Sequence, residues 1–207
     1  MQVAGVFLPG SGSRRASGAG VGGGGGGASR MLLTFEGESL VHRVVRRALR
    51  VGLSPVIVVV ADEPEGMRAA LADLECECLV GPRTSRSTDA PLHVALRRLD
   101  RQCDAAVVMD GEMVKVTERM IGALVAAARR SPAPLVVSRY GQVTAPPLLF
   151  RRALFGELLA SNGQDCGGPV VQRHRDDALY LDWAPELAPG VVAAPIKRPS
   201  ARRRKKR

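Results

Sequence analysis

The chain has 207 residues, 45% of them hydrophobic and only 3% aromatic, and a formal net charge of +10. This length fits one domain whose core is filled by Val, Leu and Ala. No apolar run reaches the roughly 18 residues that a bilayer span needs, and the N-terminus lacks the basic-then-apolar order of a signal peptide, so a soluble, cytoplasmic protein with no membrane partner is expected.

The charge is unevenly placed. Residues 197–207 hold eight basic and no acidic residues, which leaves 22 basic against 20 acidic in residues 1–196. The near-neutral body is therefore not a nucleic-acid-binding surface by composition, whereas the tail KRPSARRRKKR reads as disordered and could contact polyanions or an acidic protein in a salt-sensitive way. The four cysteines, at 76, 78, 103 and 166, form no CxxC pair, and the three histidines are scattered. Zinc-ligand spacing is absent, and reduced, unligated thiols are expected.

In chain order, VAGVFL at the N-terminus reads as an apolar strand that runs straight into LPGSGSRR. A strand ending in glycines and arginines is one way an α/β fold presents backbone N–H groups and guanidinium charge to a phosphate chain. Leu8, Gly10 and Gly12 would shape that turn, with Arg14 and Arg15 as the cations; a plain surface loop fits the same residues. Residues 18–27 contain eight glycines, six of them consecutive, inside a loop expansion spanning 16–29. Such a run costs maximal backbone entropy to order and is expected to be flexible when free.

From Glu38 the pattern turns helical, with Leu40, Val41, Val44, Val45, Ala48 and Leu49 opposite Arg43, Arg46, Arg47 and Arg50, and Gly52 as the stop. SPVIVVVA follows as a strand buried on both faces. Residues 65–74 read as a short helix, CECLV as a short strand and 91–99 as a helix. DAAVVMDGEMVKVT reads as a central strand entering a loop, and Thr117 caps the helix ERMIGALVAAARR, which Ser131-Pro132 ends. PLVVSRY is a further strand, APPLLF returns toward the sheet, ALFGELLAS is helical up to Asn162-Gly163, PVVQRHRDD is helical, and ALYLDW is a last strand. Strands alternating with helices predict an α/β, Rossmann-like three-layer α/β/α fold with a mostly parallel sheet.

The order LPGSGSRR, RMLLTFEGESLV, VVMDGEMVKVT resembles the MobA-like nucleotidyltransferases, and within them the cytidylyltransferases that attach CMP to the molybdenum cofactor. Leu8, Gly10, Gly12 and Arg14 fall on the family's opening L-A-A-G-x-G-x-R, and Arg30, Leu32, Leu33, Gly37 and Leu40 on its K-L-L-L-P-x-x-G-x-P-L, with Arg30 at the lysine. YGQVTAPPLLFRRALFGELL is similar to the family's G-x-P-x-L-F-x-R-x-L-F-x-E-L-L through Pro147, Phe150, Arg152, Leu154, Phe155 and Glu157.

The resemblance implies a nucleotide-binding set of Leu8, Gly10, Gly12, Arg14 and Arg30, of which Arg14 and Arg30 would act in catalysis by holding phosphates in line. It also implies Mg²⁺ at the strand end. Glu112 aligns with the metal-binding aspartate, and Asp110, two residues earlier, is the alternative. Arginine for lysine keeps the charge but changes a point ammonium into a planar fork, and glutamate for aspartate displaces the carboxylate by more than about an ångström. In the segment GPRTSRSTDAPLHVAL, Ala90 and Pro91 replace the serines that serve base and ribose recognition in the family. QDCGGP keeps Asp165 and Gly167 but has Pro169 for an arginine, and DWAPEL offers Asp182 near the second metal carboxylate without fixing a register.

Two functions follow from the resemblance. One is a Mg²⁺-dependent transferase using CTP or another NTP and a molybdopterin-type acceptor. The other is a catalytically degenerate relative that binds nucleotide or cofactor as a maturation protein.

Overall fold

The computed structural model describes residues 1–9, 30–61, 63–81, 90–99, 101–161 and 165–188. Gly10, Gly12, Arg14 and Arg15, the glycine-rich expansion 16–29, residues 82–89 and the basic tail 197–207 lie outside them.

Strand β1 (Val3–Leu8) is buried at every position, as a run without polar alternation requires when both sheet faces are covered. It pairs in parallel with β4 (Val56–Val60) on one side and β6 (Ala105–Asp110) on the other. With β5 (Glu77–Val80), β7 (Leu135–Tyr140), β8 (Val143–Arg151) and β9 (Leu179–Trp183), they form a seven-stranded sheet of order β5-β4-β1-β6-β8-β7-β9. β8 runs antiparallel to both of its neighbours, whereas β4–β5 and β7–β9 pair in parallel.

Alternate side chains feed two cores. Phe7, Val58 and Val107 face Val41, Val44 and Val45 of α1 (Leu40–Arg50), Met67 of α2 (Pro64–Ala70) and Ile121 and Leu124 of α4 (Glu118–Arg130). Val6, Val59, Val108 and Phe150 face Leu92 of α3 (Pro91–Arg98), Phe155 and Leu158 of α5 (Phe155–Ala160) and Val170 of α6 (Gly168–Arg173). The three-layer, mostly parallel architecture expected from the sequence is the one observed. No helix among the described residues is long and apolar enough to cross a membrane.

Three element boundaries differ from expectation. Glu38 does not open α1. It lies in β3 (Glu38–Ser39), which pairs with β2 (Thr34–Phe35) across a turn where Glu36 and Gly37 have φ of 51° and 82°. Ser39 caps α1 instead, its side chain accepting from the His42 amide at 3.3 Å. α2 ends at Ala70 rather than at residue 74, and α6 at Arg173 rather than at residue 177. α4 starts as expected, with Thr117 Oγ1 accepting from the Met120 amide at 3.3 Å.

Candidate active site

From β1 the chain steps through α1 to β4 and through α2 to β5, then crosses back to enter the sheet as β6 on the other side of β1. The reversal lies between β1 and β6, and in open α/β sheets ligands bind in the crevice beyond the carboxyl ends of two such strands. Leu8 and Asp110, the last residues of these strands, are register partners. The Gly111 amide donates to the Leu8 carbonyl at 3.0 Å, which carries the pairing one step into the loop. The Leu8 side chain is buried in the core facing α3, so its place at the site is taken by its backbone.

On the far side of β6 the sheet opens. Pairing with β8 runs from Ala105↔Arg151 to Val108↔Leu148 and stops there. The next residues of β8 beyond Leu148 are Pro147 and Pro146, which have no N–H to give to a neighbouring strand. Ser138, where the β7–β8 register shifts, donates its hydroxyl to the Pro147 carbonyl at 2.7 Å, and Tyr140 donates to the Pro146 carbonyl at 3.0 Å. These bonds draw β8 toward β7 and leave Asp110 with a strand partner on one side only.

Two acidic side chains and one cation meet at this notch. Asp110 ends β6, and its Oδ1 accepts from the Glu112 amide at 2.9 Å, turning the loop so that the two carboxylates stay together. Arg30, in a 3₁₀ turn at Arg30–Leu32, brings its Nε to 3.3 Å from Glu112 Oε2. The Arg30 side chain is 50% exposed and that of Glu112 13%, so the ion pair is open from the arginine side. Burial raises the pKa of Asp110 above the usual carboxylate range, against the opposing pull of the Glu112 amide and Arg30. Burial also raises that of Glu112, and the Asp110 charge adds to it while Arg30 opposes. The pair is therefore short of positive charge even with Arg30 beside it.

This donor set suits a hard divalent cation. Two carboxylates at one strand end offer oxygen ligands, and Mg²⁺ ordinarily takes one or two protein carboxylates and completes its shell with water and substrate phosphate. No cluster of three or more His, Cys, Asp or Glu residues able to hold a metal occurs among the described residues, so a cation held here would rely on such outside oxygens. Asp182 does not join the pair. It lies on β9, beyond β8 and β7 from β6, and its carboxylate accepts from Arg139 at 2.5 and 2.9 Å.

The structure thus brings together Asp110, Glu112 and Arg30 and places the Leu8 backbone beside them, whereas Gly10, Gly12 and Arg14 fall outside the described residues. Three supporting residues escape a reading of the sequence. Met31 is fully buried against Gly111, and Arg47 of α1 donates to the carbonyls of Val114 and Val116. The Asp-Gly step in MDGEM is the one local signal, marking a turn that admits close approach. Arg47 reads in the sequence as one more solvated arginine.

A seven-stranded, mostly parallel sheet covered by helices on both faces, with its strand order reversing between β1 and β6, is a nucleotidyltransferase-like α/β fold. The chain belongs to the MobA-like NTP transferase domain family, whose pattern it matches over residues 5–178. Among curated proteins no relative matches. Among solved structures the chain is similar to Rv0371c from Mycobacterium tuberculosis, at 23% identity with 89% of each chain covered and a TM-score of 0.74. A manganese complex of Rv0371c matches at 21% identity, again over 89% of each chain, with a TM-score of 0.71. A 4-diphosphocytidyl-2C-methyl-D-erythritol synthase from Anaerococcus prevotii matches at 12% identity over 87% of this chain and 86% of that one, with a TM-score of 0.62. At these identities the likeness is one of fold.

Proposed function

We propose that the protein is a metal-dependent nucleotidyltransferase that uses CTP and a molybdopterin-type acceptor. The observation that carries this reading is the convergence of Asp110, Glu112 and Arg30 at the crevice between β1 and β6. In the reaction a phosphate oxygen of the acceptor attacks the α-phosphorus of the nucleoside triphosphate. The bond from that phosphorus to the bridging oxygen breaks, and its electron pair leaves with pyrophosphate. Catalysis of such a displacement is mostly alignment and charge stabilisation.

Each residue has a part in that alignment. Asp110 and Glu112 would hold Mg²⁺, which would supply neutralisation of the triphosphate and of the departing pyrophosphate. Arg30 now rests on Glu112; with cation and nucleotide present its guanidinium is available to the phosphates, for which its planar fork is suited. Gly10, Gly12 and Arg14 extend the phosphate cradle by resemblance to the family. The CTP preference and the molybdopterin acceptor rest on the same resemblance, with the diphosphocytidyl-erythritol synthase of like fold consistent with a cytidine nucleotide.

The test is pyrophosphate release with each of the four ribonucleoside triphosphates, Mg²⁺ and molybdopterin, on wild type, Asp110→Ala and Glu112→Ala. Release that is greatest with CTP and lost in both variants supports the reading. A second reading, a nucleotide- or cofactor-binding maturation protein without turnover, is favoured by the Arg30–Glu112 ion pair and by Asp182 being bound to Arg139. Tight nucleotide binding with no release under any of these conditions selects it.

A further inference from the structure

We propose that Arg47 is a positioning residue that fixes the acidic pair relative to Arg30, an inference that rests on the assignment of Asp110 and Glu112 as the cation-holding pair. Four arginines line the polar side of α1, and three of them make ordinary charge pairs. Arg43 meets Glu36 at 2.8 Å, Arg46 meets Glu38 at 3.0 Å and Arg50 meets Glu118 at 3.3 Å. Arg47 does something else. Its Nη1 donates to the Val114 carbonyl at 2.8 Å and to the Val116 carbonyl at 2.6 Å, so both hydrogens of one nitrogen are used on the loop between β6 and α4. The guanidinium is half-buried there, and burial, helped by the Arg43 charge, lowers its pKa without bringing deprotonation into reach.

A short chain of bonds leads from Arg47 to the acids. The Val114 amide donates to the Glu112 carbonyl at 2.9 Å, so the residue that Arg47 grips at its carbonyl is bonded to Glu112 through its own N–H. The Glu112 amide donates to the Asp110 carboxylate at 2.9 Å. On its other flank the loop is tied by Lys115, whose ammonium donates to the Glu186 carbonyl at 2.5 Å.

The helix that carries Arg47 is itself fastened to the segment carrying Arg30. The Leu40 amide donates to the Leu33 carbonyl at 2.9 Å, and the Leu33 amide to the Arg30 carbonyl at 3.1 Å. α1 is thus a rigid strut with the Arg30 turn at one end and the acidic loop held to its third turn. Removing the guanidinium leaves two inward-facing carbonyls without their donor and the loop free to shift, whereas the core face of α1 is untouched. Partners one step behind metal ligands commonly carry tenfold or more of the affinity.

The experiment titrates Mn²⁺ by electron paramagnetic resonance into the full chain and into Arg47→Met, Arg47→Lys and, as a control on the same helix, Arg50→Met, with hydrogen exchange of each. Arg47→Met is expected to weaken Mn²⁺ binding about tenfold and to speed exchange of the Val114 amide. Arg47→Lys is expected to recover part of both losses, and Arg50→Met to change neither. Unchanged Mn²⁺ affinity in Arg47→Met overturns the inference. Should that variant not fold, Arg47→Lys decides, and wild-type affinity together with wild-type exchange in it also overturns the inference. A wild type that binds no Mn²⁺ refutes the cation-holding assignment instead, and the exchange of Val114 then reports on Arg47 separately: no change in it removes the loop-fixing role too.

Discussion

Met31 lies over Gly111 so closely that a β-carbon at residue 111 would sit 2.1 Å from Met31 Cε and 3.2 Å from its Sδ. Met31 is 1% exposed, so the end of its flexible side chain yields to a β-carbon only by repacking against buried neighbours. The contact joins the turn that carries Arg30 to the loop that carries Glu112, one residue from each. Gly111→Ala is therefore expected to destabilise the protein by about 1–3 kcal/mol, the usual result of overpacking, and to weaken Mn²⁺ binding by moving Arg30 and Glu112 apart. Met31→Ala makes room but leaves a cavity, so each single variant is destabilised while the double variant falls short of their sum. Thermal unfolding of the four proteins measures this coupling; strict additivity would show that the two residues do not press on each other.

The acidic pair is expected to hold back stability in the metal-free protein. Both carboxyls have pKa values raised mainly by burial. For a raised acid, the favourable contribution to folding is fully present below the unfolded pKa, about 4, and is lost as pH rises through the higher folded value. Above that folded value the Asp110 charge is a cost to folding. Asp110→Asn keeps an oxygen for the Glu112 amide and removes the charge, so at about pH 7 its melting temperature should exceed that of wild type. The difference should vanish near pH 4. Mn²⁺ should raise the melting temperature of wild type and not that of the variant. A variant less stable than wild type at neutral pH would count against the charge being uncompensated.

Legibility in the sequence follows the scale of the forces involved. Runs such as VAGVFL and VIVVV are continuous because both sheet faces are covered, and that pattern survives any detail of the loops. The hairpin at Glu36-Gly37 leaves little trace: its strands are two residues each, too short for a period, and Glu38 also fits the helix pattern that follows. That β8 lies antiparallel between β6 and β7 depends on pairing across the whole chain, which local pattern does not carry. At the site, Asp110, Glu112 and Arg30 stand out by resemblance to a family. Arg47 does not, because its partners are backbone carbonyls 67 and 69 residues away, and carbonyls leave no mark in a side-chain alphabet.

Asp182 is expected to be dispensable for cation binding. Its two oxygens are engaged by the guanidinium of Arg139, whose own ring-face contact with Tyr180, at 5.1 Å, holds it over β9. Both side chains are exposed and the pair lies beyond β8 and β7 from Asp110, so little of its attraction reaches the notch through water. Asp182→Asn should leave the Mn²⁺ affinity of the full chain where it is, while Asp110→Asn abolishes it. Loss of affinity in Asp182→Asn would place this carboxylate in the cation shell and require β9 to close toward β6.

His42 gives the Arg30 side of the site a pH dependence of its own. Its Nδ1 lies 2.6 Å from Glu38 Oε1 on the hairpin, and its Nε2 lies 3.0 Å from Asp73 in the turn after α2. Burial pulls its pKa down, but the hydrogen bonds and charges of Glu38 and Asp73 outweigh that and raise it. Arg43 and Arg46, which share the Glu38 carboxylate, are the cations that face it. Only the doubly protonated ring can donate to both acids at once. A raised histidine contributes stability that is complete below its unfolded pKa, about 6.5, and is lost as pH climbs through the folded value. Wild type should therefore lose stability as pH rises above about 6.5, in a step that His42→Gln lacks, because glutamine donates through one end only and does not titrate. Denaturant midpoints across that range measure the step, and the His42 ring resonances followed in the same buffers must titrate with it. A wild-type profile as flat as that of His42→Gln would mean that the imidazole stays neutral and that the two acids hold the hairpin through single hydrogen bonds alone.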